Sequence, residues 1–182
     1  MTKAEIINGI TMKIQNVKNV DVSNRPHVAF YDMIVTFVFD VGIEDGRAIV
    51  TNDVMEQFNI GLDELILATK ANTEIECIHL EDAIPFPIPY SGAMIVTNKE
   101  KIYGASVIMN PDYFRRFGND VYILPSSVHE VIIMNVDDVE DVDWLKEMVR
   151  DINHSGIVSD VDFLSDDVFR YYRNLNMIIK ED

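Results

Sequence analysis

The sequence contains a single cysteine, Cys77, in 182 residues. One thiol excludes an internal disulfide framework and points to a reducing compartment, so a cytoplasmic location is expected. Long apolar runs are missing too: no segment approaches the ~20 apolar residues that span a bilayer. Residues 1–10 lack a charged leader followed by an apolar stretch, and no membrane role is expected. Basic residues are scarce. Fifteen Lys and Arg face 31 Asp and Glu, for a formal charge of −16. That balance argues against gripping a nucleic-acid backbone through a broad basic surface, and no direct DNA binding is expected. Glycine-rich phosphate loops are absent, because Gly42 and Gly46 fall in a hairpin signal and Gly104 in a strand signal. His27, His79, His129 and His154 are scattered without ligand spacing, so no metal site and no cofactor are expected.

What remains is the composition of a folded protein, 48% hydrophobic and 9% aromatic. The length suits one domain over residues 1–182, with a core over 26–182 and an N-terminal appendage over 1–25. Ile10, Met12 and Ile14 alternate there, suggesting a helix followed by a strand. Residues 28–41 carry the strongest strand signal, with Phe30, Ile34, Phe37 and Phe39 in a β-branched run. Asp45-Gly46 supplies a turn, and residues 48–50 read as the returning strand. Asn52 or Asp53 is placed to cap a helix that Gly61 divides in two. Cys77 falls near a helix-to-loop boundary, where it reads as a small buried hydrophobe.

The alternating prolines of residues 84–89 predict an extended crossing loop. Residues 93–98 and 102–109 read as a second hairpin. Pro111 starts a short helix that Gly118 ends. Residues 121–124 and 128–134 form a third hairpin-like pair. Trp144, Leu145, Met148, Val149 and Ile152 mark an amphipathic helix over 141–153. Ser165 is placed to cap a last short helix carrying Val168, Phe169 and Tyr172, before an edge strand at 175–179. Hairpins interleaved with single helices predict an α+β fold: an antiparallel sheet with helices mainly on one face.

Only Leu124-Pro125-Ser126-Ser127-Val128-His129-Glu130 brings a hydroxyl, an imidazole and a carboxylate together. A serine nucleophile needs a base in hydrogen-bond reach and a carboxylate to orient it, which makes Ser126, Ser127, His129 and Glu130 the candidate catalytic residues. In an extended strand Ser127 and His129 would share a face, with Glu130 behind them, and no nucleophile elbow accompanies the string. The competing reading gives the serines turn hydrogen bonds and places His129-Glu130 at a sheet margin. Tyr171-Tyr172 with Arg170 and Arg173 resembles a stacking platform for single strands, but a core role accounts for the same residues.

The most unusual segment is 137–167, with eleven acids against two bases, a local charge of −9. The run Asp137-Asp138-Val139-Glu140-Asp141-Val142-Asp143 lacks the glycine and terminal glutamate of a calcium loop and reads as solvated. Asp141 and Asp143 also favour the positive end of the following helix. Together Asp137, Asp138, Glu140, Asp141, Asp143, Glu147 and Asp151 form a candidate partner-binding surface, able to steer a basic partner.

From His27 to Tyr172 the order of several motifs resembles an uncharacterised bacterial domain family of anaerobic gut bacteria and their mobile elements. The residues that carry it are Asp32, Asp63-Glu64-Leu65 with Ala68, Thr97-Asn98, Gly104-Ala105, the string 124–131, Met148-Val149 with Asn153, and Leu164-Ser165-Asp166 with Tyr172. The resemblance implies a shared fold and no assigned activity. More loosely, a compact, strongly acidic protein of this size is similar to anti-CRISPR and other anti-defence inhibitors. The expected function is therefore a mobile-element-encoded inhibitor. Its partner would be a basic protein or ribonucleoprotein, such as an RNA-guided nuclease, met through the acidic surface. The alternatives are a hydrolase or RNA-processing enzyme centred on His129 and Glu130, and a housekeeping or toxin–antitoxin component.

Overall fold

The computed structural model describes residues 1–41, 46–83, 92–125, 127–156 and 158–182. Its described residues form an α+β fold with antiparallel sheets of four and six strands. The chain divides into two units, Met1–Glu74 and Ile75–Asp182.

In the first unit Thr2 closes a capping box on α1 (Lys3–Gly9): its hydroxyl accepts from the Glu5 amide, and the Glu5 carboxylate accepts from the Thr2 amide. The alternation of Ile10, Met12 and Ile14 becomes β1 (Ile10–Asn16), with all three buried. β1 pairs antiparallel with β3 (Met33–Asp40), from Ile10↔Phe39 to Asn16↔Met33. Residues 28–41 are not one strand. β2 (Val28–Phe30) folds back on β3 with Phe30 opposite Met33, around Tyr31 at φ 56°. Tight hairpin turns need positive φ, which Gly or Asn normally signals, and Tyr31 sends no such signal. β4 (Arg47–Ile49) pairs with the far end of β3, Val38 facing Ile49. Asp45, Gly42 and the proline stretch 84–89 lie outside the described residues.

Thr51, rather than Asn52 or Asp53, caps α2 (Asn52–Phe58), accepting from the Val54 amide. The break at Gly61 is present: α2 ends on Asn59 in the left-handed region and α3 (Leu62–Asn72) begins after the glycine. α3 packs on β1 and α1. The Asn72 carboxamide donates to the carbonyls of Ile7 and Ile10, fastening the end of α3 to the α1–β1 junction.

The second unit is built on β5 (Ile75–His79), β6 (Met94–Asn98), β7 (Val121–Leu124), β8 (Val131–Asn135), β9 (Phe169–Tyr172) and β10 (Met177–Lys180). Their order is β10-β9-β7-β8-β6-β5, antiparallel throughout. Two short helices, α4 (Leu80–Ala83) and α5 (Pro111–Phe114), punctuate the chain, and α6 (Val142–His154) covers one face. Leu145 and Val149 of α6 pack on Tyr122, Leu124, Met134 and Val168. Asp141 caps this helix by accepting from the Asp143 amide. Trp144, assigned above to the apolar stripe, is instead 38% exposed.

Three expectations fail here for physical reasons. Cys77 lies inside β5 at the sheet edge, paired with Val96, because the alternation from Ile75 outweighs the helical pattern before it. Residues 102–109 are not a strand: Tyr103 takes φ 61° and Gly104–Met109 winds into a 3-10 helix, buried through Ile108. Ser165 caps no helix. It is fully buried, its hydroxyl accepts from the Asp167 amide in a turn, and Phe169 and Tyr171 then alternate inward as β9.

Candidate functional site

The string 124–130 links β7 to β8, and backbone bonds clamp it from both sides. The Val128 amide donates to the Asp162 carbonyl at 2.9 Å, and the Ser165 amide donates to the Pro125 carbonyl at 3.1 Å. Ser127 forms an isolated antiparallel bridge with Phe163. On the other side the Ala105 amide donates to the Val128 carbonyl at 3.3 Å. Residues 127–130 therefore form a bent loop, and strand alternation does not govern which way their side chains point.

His129 is the centre of this loop. Thr97 Oγ1 donates to its carbonyl at 2.8 Å, and its amide donates to Ser127 Oγ at 3.0 Å. The ring stacks on Tyr103, centroids 6.1 Å apart and planes 11° from parallel. The Tyr103 amide lies 3.5 Å from Nδ1, while Nε2 faces Asp162 Oδ1 at 3.4 Å. An Nδ1 that accepts assigns the ring proton to Nε2, toward the carboxylate. Asp162 is itself held by the Ser159 hydroxyl, which donates to Oδ2 at 2.6 Å.

This geometry rearranges the predicted constellation. The carboxylate beside the imidazole is Asp162, thirty-three residues away, whereas Glu130 forms no ion pair or hydrogen bond among the described residues. Ser127 is buried and its hydroxyl engages the His129 backbone, as the turn reading anticipated, so Ser127 and the ring do not form a nucleophile–base pair. Ser126 lies outside the described residues. Chemically the site offers a half-exposed imidazole oriented by a carboxylate, a general acid–base pair without a nucleophile among the described residues. Sequence spacing held no signal for Asp162 or Tyr103. A second pair of the same kind joins His154 Nε2 to Asp166 Oδ2 at 3.0 Å, with Asn153 donating to Asp166 Oδ1 at 2.9 Å.

The eleven acids of 137–167 separate by environment. Asp162 and Asp166 face histidines, and Asp167 pairs with Lys180 at 2.7 Å. Asp137, Asp138, Glu140, Asp141, Asp143, Glu147 and Asp151 are all exposed. On α6, Asp143, Glu147 and Asp151 recur at four-residue spacing, two positions from the buried line Leu145, Val149 and Asn153 and so on the opposite side of the helix. Asp143 is partly offset by Lys146 at 3.2 Å.

Other candidates resolve into structure. Tyr171 is fully buried and donates to Asn176, as the core reading expects, whereas Tyr172 is only half-buried, Arg170 is tied to Asp120 and Arg173 is exposed. Cys77 is half-buried, and burial pushes its thiol pKa up, opposed by Tyr113 and Arg116. Among the described residues no three His, Cys, Asp or Glu side chains group as a metal site, and no helix is long and apolar enough to cross a membrane.

Comparison with curated proteins and with solved structures yields no match. A family model does match, over residues 3–173, and so takes in the N-terminal segment that the motif resemblance left out. The match covers nearly the whole chain, which therefore belongs to DUF5688, a family of unknown function.

Proposed function

We propose that the protein is a binding protein of the anti-defence type: a mobile-element-encoded, cytoplasmic inhibitor that docks its acidic face on a basic nucleic-acid-handling enzyme. The observation that supports this reading is the outward presentation of seven carboxylates over 137–151, with Asp143, Glu147 and Asp151 aligned along α6. Trp144 stands partly exposed beside them. A line of carboxylates imitates the charge of a phosphate backbone and is drawn into a groove built for one. Carboxylates on a helix anchored by Leu145 and Val149 are presented without a folding cost at binding.

The test is binding to a guide-loaded RNA-guided nuclease across a salt series. The expected result is an affinity that falls steeply with ionic strength, and about tenfold or greater weakening when Asp137, Asp138, Asp141 and Asp143 become Asn. Absence of binding at low salt, or indifference to those substitutions, would sink the proposal. The His129–Asp162 pair favours a second reading, acid–base cleavage of RNA. Guide RNA of unchanged length in the mixture, or cleavage undiminished by His129→Ala, counts against it.

A further inference from the structure

Three strand ends of the second unit meet at a polar cleft of about 270 Å³. The start of β7 brings Asn119 and Asp120, the end of β8 brings Asp137, and β9 with its turn brings Arg170, Arg173 and Asn174. Two of the four charges are already spent on one another. Asp120 Oδ2 accepts from Arg170 Nε at 3.2 Å and Nη2 at 2.8 Å, and Oδ1 accepts from the Arg173 amide at 2.9 Å. The Arg170 guanidinium also lies over the Tyr172 ring, 4.6 Å from its centroid. This pair forms a rigid, neutral wall.

The two remaining charges are opposite in sign. The Arg173 guanidinium enters no ion pair or hydrogen bond among the described residues, while Asp137 receives one long bond, from Asn119 Nδ2 at 3.3 Å. A simple anion in this cleft would meet Asp137, and a simple cation would meet Arg173. A ligand carrying both charges satisfies both groups, and the two carboxamides serve donors and acceptors alike. The volume sits just below the ~300–1,000 Å³ of typical small-molecule sites, which limits the occupant to something small.

We propose that this cleft binds a free α-amino acid, its carboxylate on Arg173 and its ammonium on Asp137. The cleft shares Asp137 with the acidic face, but the inference does not rest on that reading, because Arg173 lies outside the face and small-ligand binding needs no basic partner.

Titrating the isotopically labelled full chain with each of the twenty L-amino acids, followed by amide chemical shifts, tests it. At least one amino acid should move the signals of Asn119, Asp137 and Asn174. Its decarboxylated amine and its deaminated acid should each bind about tenfold or more weakly, and so should R173Q and D137N. E56Q, on α2 and outside both proposed sites, should bind like the wild type. The proposal is overturned if no amino acid at millimolar concentration shifts those signals, if either analogue binds as well as its parent, or if R173Q binds unchanged. Because R173Q removes no carboxylate, loss of amino-acid binding with retention of nuclease binding separates the two proposals.

Discussion

Gly104 carries the tightest steric constraint at the level of single residues. A Cβ built on it would lie 2.3 Å from Thr97 Oγ1, 2.5 Å from the His129 carbonyl oxygen and 2.6 Å from the Asn98 amide nitrogen. Two of those neighbours are backbone and cannot rotate away, and the third is engaged in the Thr97–His129 hydrogen bond. Gly104→Ala is expected to destabilise the protein by about 2–3 kcal/mol, read as a lower denaturation midpoint. Adding Thr97→Ala should restore little of it, because the backbone contacts persist. Full recovery in the double variant would show that the hydroxyl alone sets the constraint. The same neighbourhood marks how far single residues can be read from sequence. His129 stood out as a titratable side chain in a short polar string. Its partners Asp162 and Tyr103 did not, because loop packing brings them there and leaves no spacing in the chain.

Among the elements, β7 and β9 are held together by more than their ladder. Asp120, just before β7, binds Arg170 within β9 and the Arg173 amide just after it. The Arg173 amide first, and the Arg170 guanidinium after it, hold the Asp120 carboxyl below the usual carboxylate range despite some burial. A depressed folded-state pKa contributes stability that is complete above the unfolded value of ~3.9 and disappears as pH falls through the lower folded value. Asp120→Asn should therefore cost about 1–3 kcal/mol at pH 7, and the gap to the wild type should close in strong acid. Denaturant midpoints of both proteins from pH 7 to pH 2 measure this, and a gap that stays constant or widens toward acid would disprove it. Elements with one period and one clear terminator were legible in advance: α6 behind Asp141, the break at Gly61, the Pro111 start and the Gly118 stop, and the β7–β8 pair. Those that depended on an unusual backbone angle or on tertiary burial were not. Tyr31 and Tyr103 turn the chain at positive φ without a glycine. Residues 105–108 are apolar enough for a strand yet are buried in a 3-10 helix. Phe169 and Tyr171 take the period of a strand, although Val168, Phe169 and Tyr172 also satisfy that of a helix.

Across the whole molecule the charge of −16 is unevenly placed. Met1–Glu74 holds eleven acids and six bases, a charge of −5, and Ile75–Asp182 holds twenty acids and nine bases, a charge of −11. Since 137–167 alone carries −9, the rest of the second unit is nearly balanced at −2. The sequence already located that excess, but not its division into acids turned toward His129, His154 and Lys180 and acids turned to solvent. The solvent-facing group repels itself, and among the described residues only Asp143 gains a nearby lysine on α6. Self-repulsion among exposed charges is screened once the Debye length falls from ~30 Å at 0.01 M salt to ~8 Å at 0.15 M. Sodium chloride over that interval should raise Tm, opposite to the loss expected if surface ion pairs dominated. Replacing Asp137, Asp138, Asp141 and Asp143 by Asn should raise Tm at low salt and flatten its salt dependence. The carboxamide introduced by Asp141→Asn can still accept from the amide at 143, so the cap on α6 survives the exchange. A quadruple variant whose Tm climbs with salt as steeply as that of the wild type would place the repulsion elsewhere in the chain. A flat response would place it on the same surface that is proposed to meet a basic partner, and would make the cost of carrying that surface measurable in the free protein.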